Sequence, residues 1–241
     1  MKPKILVLTG VGLNCEEETF EAYKLAGAEP KLHHVNQIIG GNVDFENFSL
    51  IHFTGGFSFG DHLGAGKVLA NRFRPVLDKL IRFKERGGYI LGVCNGFQVL
   101  VSLGLLGGNS VSLIENTSGH YQVAWHRIKI NPKSPIKYLV REEGYEFPIR
   151  HAEGRLVVSD SIKPKLENAQ LLSMRYTDLN PNGSYLNCAG LCDESGQIIG
   201  MMPHPENFIS PYNHPRWPHR DPNLEPDGLC FFKKLVQQIA M

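Results

Sequence analysis

Apolar and polar positions alternate along this chain in two rhythms. In the first half, short apolar runs stop at glycine and are followed by amphipathic stretches. Ile5–Thr9 ends at Gly10, and its unbroken apolar run predicts a buried parallel strand. Asn14 is placed as an N-cap, with Glu16, Glu17 and Glu18 in the first turn, where a helix dipole favours negative charge. Phe20, Tyr23 and Leu25 give that helix an apolar side, and Gly27 stops it. Lys31–Val35, Leu50–Phe53 and Tyr89–Val93 read as further strands. Helices are expected over 67–86, broken near Pro75, and over Asn95–Leu103. A β-α-β-α order of this kind predicts a doubly wound, mostly parallel sheet with helices on both faces.

The second half follows a strand rhythm. His120–Ile130, Pro148–Val158, Leu171–Tyr176 and Leu186–Met202 are rich in β-branched, aromatic and alternating residues. Asp193–Gly196 marks a hairpin turn. These segments are expected to form a smaller antiparallel β layer added to the α/β unit. From Asn207 to Asp227 the chain is dense in Pro, His and Asn and reads as an irregular surface loop; Leu229–Ala240 reads as an amphipathic closing helix. No interdomain linker stands out, so residues 1–241 are expected to form one domain.

Composition narrows the function classes. The 241 residues are 42% hydrophobic and 20% charged, ordinary for a globular enzyme. A formal net charge of +1 without a basic block gives no reason to expect nucleic acid or an anionic membrane as partner. The first apolar run is too short for a secretion signal, and no stretch approaches the ~18 apolar residues of a membrane span. Five cysteines at irregular spacing fit reduced thiols in the cytoplasm.

Candidate chemistry lies in three segments, each directly after an expected strand. Gly92-Val93-Cys94-Asn95-Gly96 lies between a strand and a helix. In that context a nucleophile sits on a sharp turn and faces the helix N-terminus, which favours thiolate over thiol. Pro203-His204-Pro205-Glu206 offers a base and a carboxylate two residues on. Each proline pushes the residue before it toward extended geometry, so His204 and Glu206 can project to one side. Thr54–Gly60 is glycine-rich and can bring backbone N–H groups to a developing oxyanion. It is not a phosphate loop: Gly66-Lys67 is followed by Val68 where Ser or Thr should hold Mg²⁺. Gly10-Val11-Gly12 starts a dinucleotide fingerprint but has Cys15 at the third glycine position. Cys188 and Cys192 lack the further ligands of a zinc site, and no metal is expected. His151, in Arg150–Arg155, competes with His204 for the role of base.

Taken together these residues resemble class I glutamine amidotransferases. Within that superfamily the chain is most similar to the glutaminase subunits of phosphoribosylformylglycinamidine synthases. Besides the three segments above, the match includes Gly12–Cys15, Phe97-Gln98, the His151–Arg155 segment, Asn180–Ser184 and Gly200–Met202. Asn207–Asp227 departs from the family pattern. The resemblance implies a flavodoxin-like glutaminase fold and a Cys94–His204–Glu206 triad. It implies a substrate-binding set of Gly56, Phe57, Asn95 and Gln98, with Gly56 and Asn95 near the oxyanion and Gln98 on the amino-acid head. Glutamine is the implied substrate. Ammonia would pass to a separate synthetase subunit, with allowance for a small third subunit. ATP and Mg²⁺ would belong to the synthetase, with no cofactor in this chain. Two other readings share the architecture: a glutaminase subunit of another synthetase, and a cysteine-dependent hydrolase of the protease and deglycase superfamily.

Overall fold

The computed structural model describes residues 2–241. In chain order its strands are β1 (Lys4–Thr9), β2 (Glu29–His34), β3 (Leu50–Phe53), β4 (Tyr89–Val93), β5 (Val111–Ile114), β6 (Gln122–Ile130), β7 (Tyr145–His151), β8 (Arg155–Val158), β9 (Met174–Tyr176), β10 (Cys188–Cys192) and β11 (Ile198–Met201). The α-helices are α1 (Glu16–Leu25), α2 (Val35–Ile39), α3 (Lys67–Phe73), α4 (Leu77–Glu85), α5 (Asn95–Ser102), α6 (Lys163–Asn168) and α7 (Asp227–Ile239).

Nine strands form one sheet in the order β2-β1-β3-β4-β11-β10-β9-β6-β7. From β2 to β11 all neighbours are parallel; from β11 to β7 all are antiparallel. The expected fold class stands. The small separate antiparallel layer is the β5–β8 ribbon, whereas most of the antiparallel strands continue the central sheet. Strands β3 and β11 are buried along their whole length; β11 is apolar throughout, and β3 is apolar but for His52.

Alternation along β3 divides the helices between the two faces. His52 faces α1 and α7, touching Tyr23 and Phe232. Phe53 points the other way, onto Phe73 of α3 and against Gly96 of α5. The core therefore has two layers, one on each side of the sheet.

Several boundaries differ from the sequence reading. Cys15, not Asn14, precedes the first turn of α1, and no side chain caps it. The buried side of α1 is Thr19, Ala22 and Tyr23, while Leu25 stands exposed. Val35 leaves the strand and opens α2, capped by the His34 ring. The expected break at Pro75 is a 3-10 turn, Arg74–Val76, between α3 and α4. The expected strand over Pro148–Val158 is cut at Ala152–Gly154, and its halves join different sheets. Strand β5 and helix α6 had no expected counterpart. The loop after Asn207 contains only short 3-10 turns, yet it is not all surface: Phe208 and His214 are buried against Trp125. Among the described residues no helix is long and apolar enough to cross a membrane.

Candidate active site

The carboxyl ends of β1, β3, β4 and β11 open on the same edge of the sheet, because these strands are parallel. Crevices at the carboxyl ends of such strands are the usual ligand sites of open α/β sheets. Here the loops after these four strands meet.

The turn after β4 is an elbow. Cys94 has φ 50° and ψ −106°, a conformation that costs a non-glycine residue energy and persists only where its surroundings enforce it. Its N–H donates to Met201 O at 2.8 Å, tying it to β11. The flanking glycines make the close approach possible. A Cβ on Gly96 would lie 1.9 Å from Phe53 O, and one on Gly92 would lie 2.7 Å from the backbone of Gly96. The Cys94 thiol donates to Arg150 O at 3.6 Å. Asn95 is the first residue of α5, so its N–H has no partner within the helix.

After β11, His204 and Glu206 are both buried and paired, with Nδ1 to Oε1 at 2.6 Å. The pairing was expected from an extended i, i+2 geometry. The structure achieves it through a 3-10 turn, Pro205–Asn207. Two contacts press that turn into place: His204 N–H donates to Pro148 O at 2.9 Å, and Gly228 of α7 packs on Pro205 so closely that a Cβ would lie 1.9 Å from its carbonyl. Burial by itself would push the His204 imidazolium down, but the Glu206 carboxylate and the Cys94 sulfur outweigh it and hold it well above its ordinary range. Burial works against the Glu206 carboxylate as well, and His204 overrides it, keeping the group below its usual range. In this resting geometry His204 Nε2 is buried without a hydrogen-bond partner.

The glycine loop after β3 also packs on this centre. A Cβ on Gly55 would come within 2.8 Å of His204 Cε1, so the loop leaves room for the imidazole. Gly56 has φ 144° and bridges Leu13 of the β1 loop. The Gly10-Val11-Gly12 segment is explained by the same contact: Gly12 O accepts from Phe57 N–H at 2.8 Å, so these glycines let two protein loops meet.

Gly56, Phe57, Cys94 and Gln98 line one depression together with the Arg150–Glu153 turn. A second depression, bounded by Asn14, Cys15, Tyr121 and His204, shares Gly56, Phe57 and Cys94 with the first. A chain of hydrogen bonds fixes the floor. Asn95 Oδ1 accepts from Ser58 N–H at 3.3 Å, and its Nδ2 donates to Asp61 and to Gln98 Oε1, both at 3.0 Å. Gln98 Nε2 donates to Glu153 O at 2.6 Å. Burial, and then the Glu153 carboxylate, push Asp61 up to about 6. The Asn180–Ser184 segment braces the wall from behind, where Asn182 Nδ2 donates to Gly154 O at 2.8 Å.

The seven candidate residues therefore converge, and three others join them without having been singled out for this: Cys15, Arg150 and Tyr121. Cys15 Sγ lies 3.9 Å from His204 Nδ1, and burial pushes its thiol up. No local signal marks Cys15 as a neighbour of His204, 189 positions away. His151 stands differently from His204. It is buried, held at 3.2 Å by Asn116 rather than by a carboxylate, and burial followed by the His204 charge pushes it down to about 3. Cys188 and Cys192 are buried thiols pushed up to about 12 by burial. Cys15, His204 and Glu206 carry ligand atoms within 4.8 Å of one another. The 2.6 Å separation of Nδ1 and Oε1 is nevertheless that of a hydrogen bond, since two ligands on one tetrahedral zinc stand about 3.3 Å apart.

Residues 2–237 match the family model of the CobB/CobQ-like glutamine amidotransferase domain. The chain is 39% identical to phosphoribosylformylglycinamidine synthase subunit PurQ of Dehalococcoides mccartyi, covering 98% of this chain and 97% of that protein. It is 38% identical to the protein of the same name from Methanococcus maripaludis, over 89% and 86% of the two. Among solved structures, a chain of PurLQS from Thermotoga maritima superposes with a TM-score of 0.80 at 29% identity, covering 99% of each chain.

Proposed function

The chain belongs to the CobB/CobQ-like glutamine amidotransferase family, and from that premise we propose that Cys94, His204 and Glu206 are the triad of a glutaminase. The protein is the glutaminase subunit of phosphoribosylformylglycinamidine synthase. It hydrolyses glutamine and supplies ammonia to the synthetase subunit that makes formylglycinamidine ribonucleotide in purine biosynthesis.

The observation that carries the triad is the buried 2.6 Å His204–Glu206 pair beside a cysteine on a strained elbow. His204 takes the Cys94 proton as Sγ attacks the side-chain amide carbon of glutamine. The resulting oxyanion is stabilised by the backbone N–H groups of Gly56 and Asn95. As the tetrahedral intermediate collapses, His204 returns the proton to the leaving nitrogen, and a γ-glutamyl thioester remains on Cys94. Water then attacks the thioester with His204 again as base, releasing glutamate and the thiol. Glu206 fixes the imidazole and stabilises its cationic form. Phe57 closes one side of the depression, and Gln98 holds the amino-acid head of the substrate. ATP and Mg²⁺ act on the synthetase, the complex works in the cytoplasm, and residues 1–241 form one glutaminase domain.

The close pair of thiols makes the decisive experiment a labelling one. A diazo-ketone analogue of glutamine should modify Cys94 and spare Cys15, read by peptide mass spectrometry. Modification of Cys15 in its place would overturn the assignment.

A further inference from the structure

Four buried polar side chains form a chain behind the triad on the α1 face of the sheet. Cys15, Thr19 and Tyr23 recur every four residues and so share one stripe of α1. The first touches the His204 ring, and the last touches His52 of β3, with Tyr23 Oη to His52 Nδ1 at 3.0 Å. Phe232 of α7 packs against both Tyr23 and His52 and seals this space from solvent.

Burial pushes the Tyr23 phenol well up, so it keeps its proton and has it available for His52 Nδ1 at 3.0 Å. Burial pushes His52 down to about 4, so the ring is neutral at working pH. When Nδ1 accepts from that hydroxyl, the single ring proton of His52 sits on Nε2. That Nε2 is buried and unpartnered, and so are Thr19 Oγ1 and Glu206 Oε2. Buried donors and acceptors are rarely left unmatched. A Glu206 carboxylate oxygen lies within 4.8 Å of Cys15 Sγ at the head of the α1 stripe, so the orphaned hydroxyl, ring nitrogen and carboxylate oxygen belong to one buried polar region, in which the Glu206 charge also acts on His52.

We propose that His52, its tautomer set by Tyr23, is a positioning residue that donates from Nε2 through one water to Glu206 Oε2, with Thr19 as a second donor. Oε1 is committed to His204, so this contact decides the rotation of the carboxylate, and through it the aim of the imidazole. The proposal rests on the Cys94–His204–Glu206 reading. The titratable groups that act on Glu206 are His204 beside it, Cys15 and Tyr23 from α1 and His52 from β3, with Arg150 and Glu18 lining the depression on its outer side. The buried side of α7 presents Gly228, Phe231 and Phe232, which carry no charge.

The test measures glutamate release by the full chain across pH. His204 must be neutral to take the Cys94 proton, so activity is lost as pH falls through its raised pKa. A hydrogen bond donated to Glu206 withdraws charge from the carboxylate, so its removal strengthens the carboxylate's hold on the imidazolium and moves the acid limb of kcat/KM to higher pH. His52→Leu should lower kcat roughly tenfold, the scale of one hydrogen bond to a charged group, with the glutamine KM unchanged and the acid limb raised. His52→Gln, which places an N–H near the position of Nε2, should recover most of both. Should His52→Leu fail to fold, Tyr23→Phe keeps the packing and should raise the limb by a smaller amount. An unmoved acid limb in a folded His52→Leu, or in Tyr23→Phe, overturns the proposal, as does a Gln variant no better than Leu. Glu206→Gln serves as the control: if it leaves the acid limb in place, the triad reading itself fails and takes this inference with it.

Discussion

The two halves of the nine-stranded sheet contribute to the site in different ways. The parallel half, β2 to β11, brings the ends of four strands to one edge, and every candidate reacting group stands on a loop after one of them. The antiparallel half, β10 to β7, presents strand ends to that edge alternately. Its share is a wall: the β7–β8 turn with the Arg150 and Glu153 carbonyls, and Tyr121 at the entrance to β6. Parallel pairing multiplies loops at one end, which suits convergent side chains. Antiparallel pairing supplies a rigid surface whose backbone groups can hold a substrate.

This contrast can be broken most sharply at Cys94. Cys94→Ala should abolish glutamine hydrolysis without unfolding the chain, since alanine fits the elbow. Combined with the synthetase, the variant should still support synthesis from free ammonium. Measurable glutamate release by a folded variant would move the chemistry elsewhere.

Two of the buried histidines, His204 and His151, set the halves directly against each other. His204→Ala should cost roughly 10²–10⁴-fold in turnover, the usual loss for a general base. His151→Ala, in the wall, should retain thioester formation when the acyl-enzyme is trapped and quantified. Equal loss of acylation in both would erase the distinction between reacting half and wall.

A smaller effect concerns coupling to the synthetase. Ammonia released by a lone subunit is lost to water as ammonium, so hydrolysis should be slow in the isolated chain. The Gly55–Gly60 loop can reorient its peptides at low steric cost, and a partner can align the oxyanion donors through it. Synthetase loaded with its nucleotide substrates should raise glutamate release roughly ten- to a hundredfold, which needs about 1.4–2.7 kcal/mol. Equal rates with and without loaded synthetase would show that the loop is already aligned.

The smallest expected effect lies at the seam of the two halves, where Asp61 faces Glu153. Its folded pKa of about 6 is above that of an unfolded aspartate, near 3.9, so ionisation destabilises the fold. Asp61→Asn should therefore raise the melting temperature above pH 6, and the gain should vanish as the pH falls toward 4. A gain that is the same at both ends of this range would remove the charge from the explanation.

The sequence alone determined the local features. Buried strands, the elbow around Cys94, the break at Pro75 and the Asp193–Gly196 hairpin each depend on neighbours within a few residues, where apolar periodicity and glycine geometry act. The Pro-His-Pro-Glu segment was likewise legible as a base with its carboxylate. Tertiary structure alone decided what distant segments do to one another. It cut Pro148–Val158 into two strands of different sheets, because Ala152–Gly154 must turn to present a carbonyl to Gln98. It set Cys15 beside His204 and Tyr23 against His52, and it separated His204 from His151 by giving one a carboxylate and the other an amide. A histidine carries no mark of its partner along the chain. Its charge state is set by burial and by groups that only folding brings within reach.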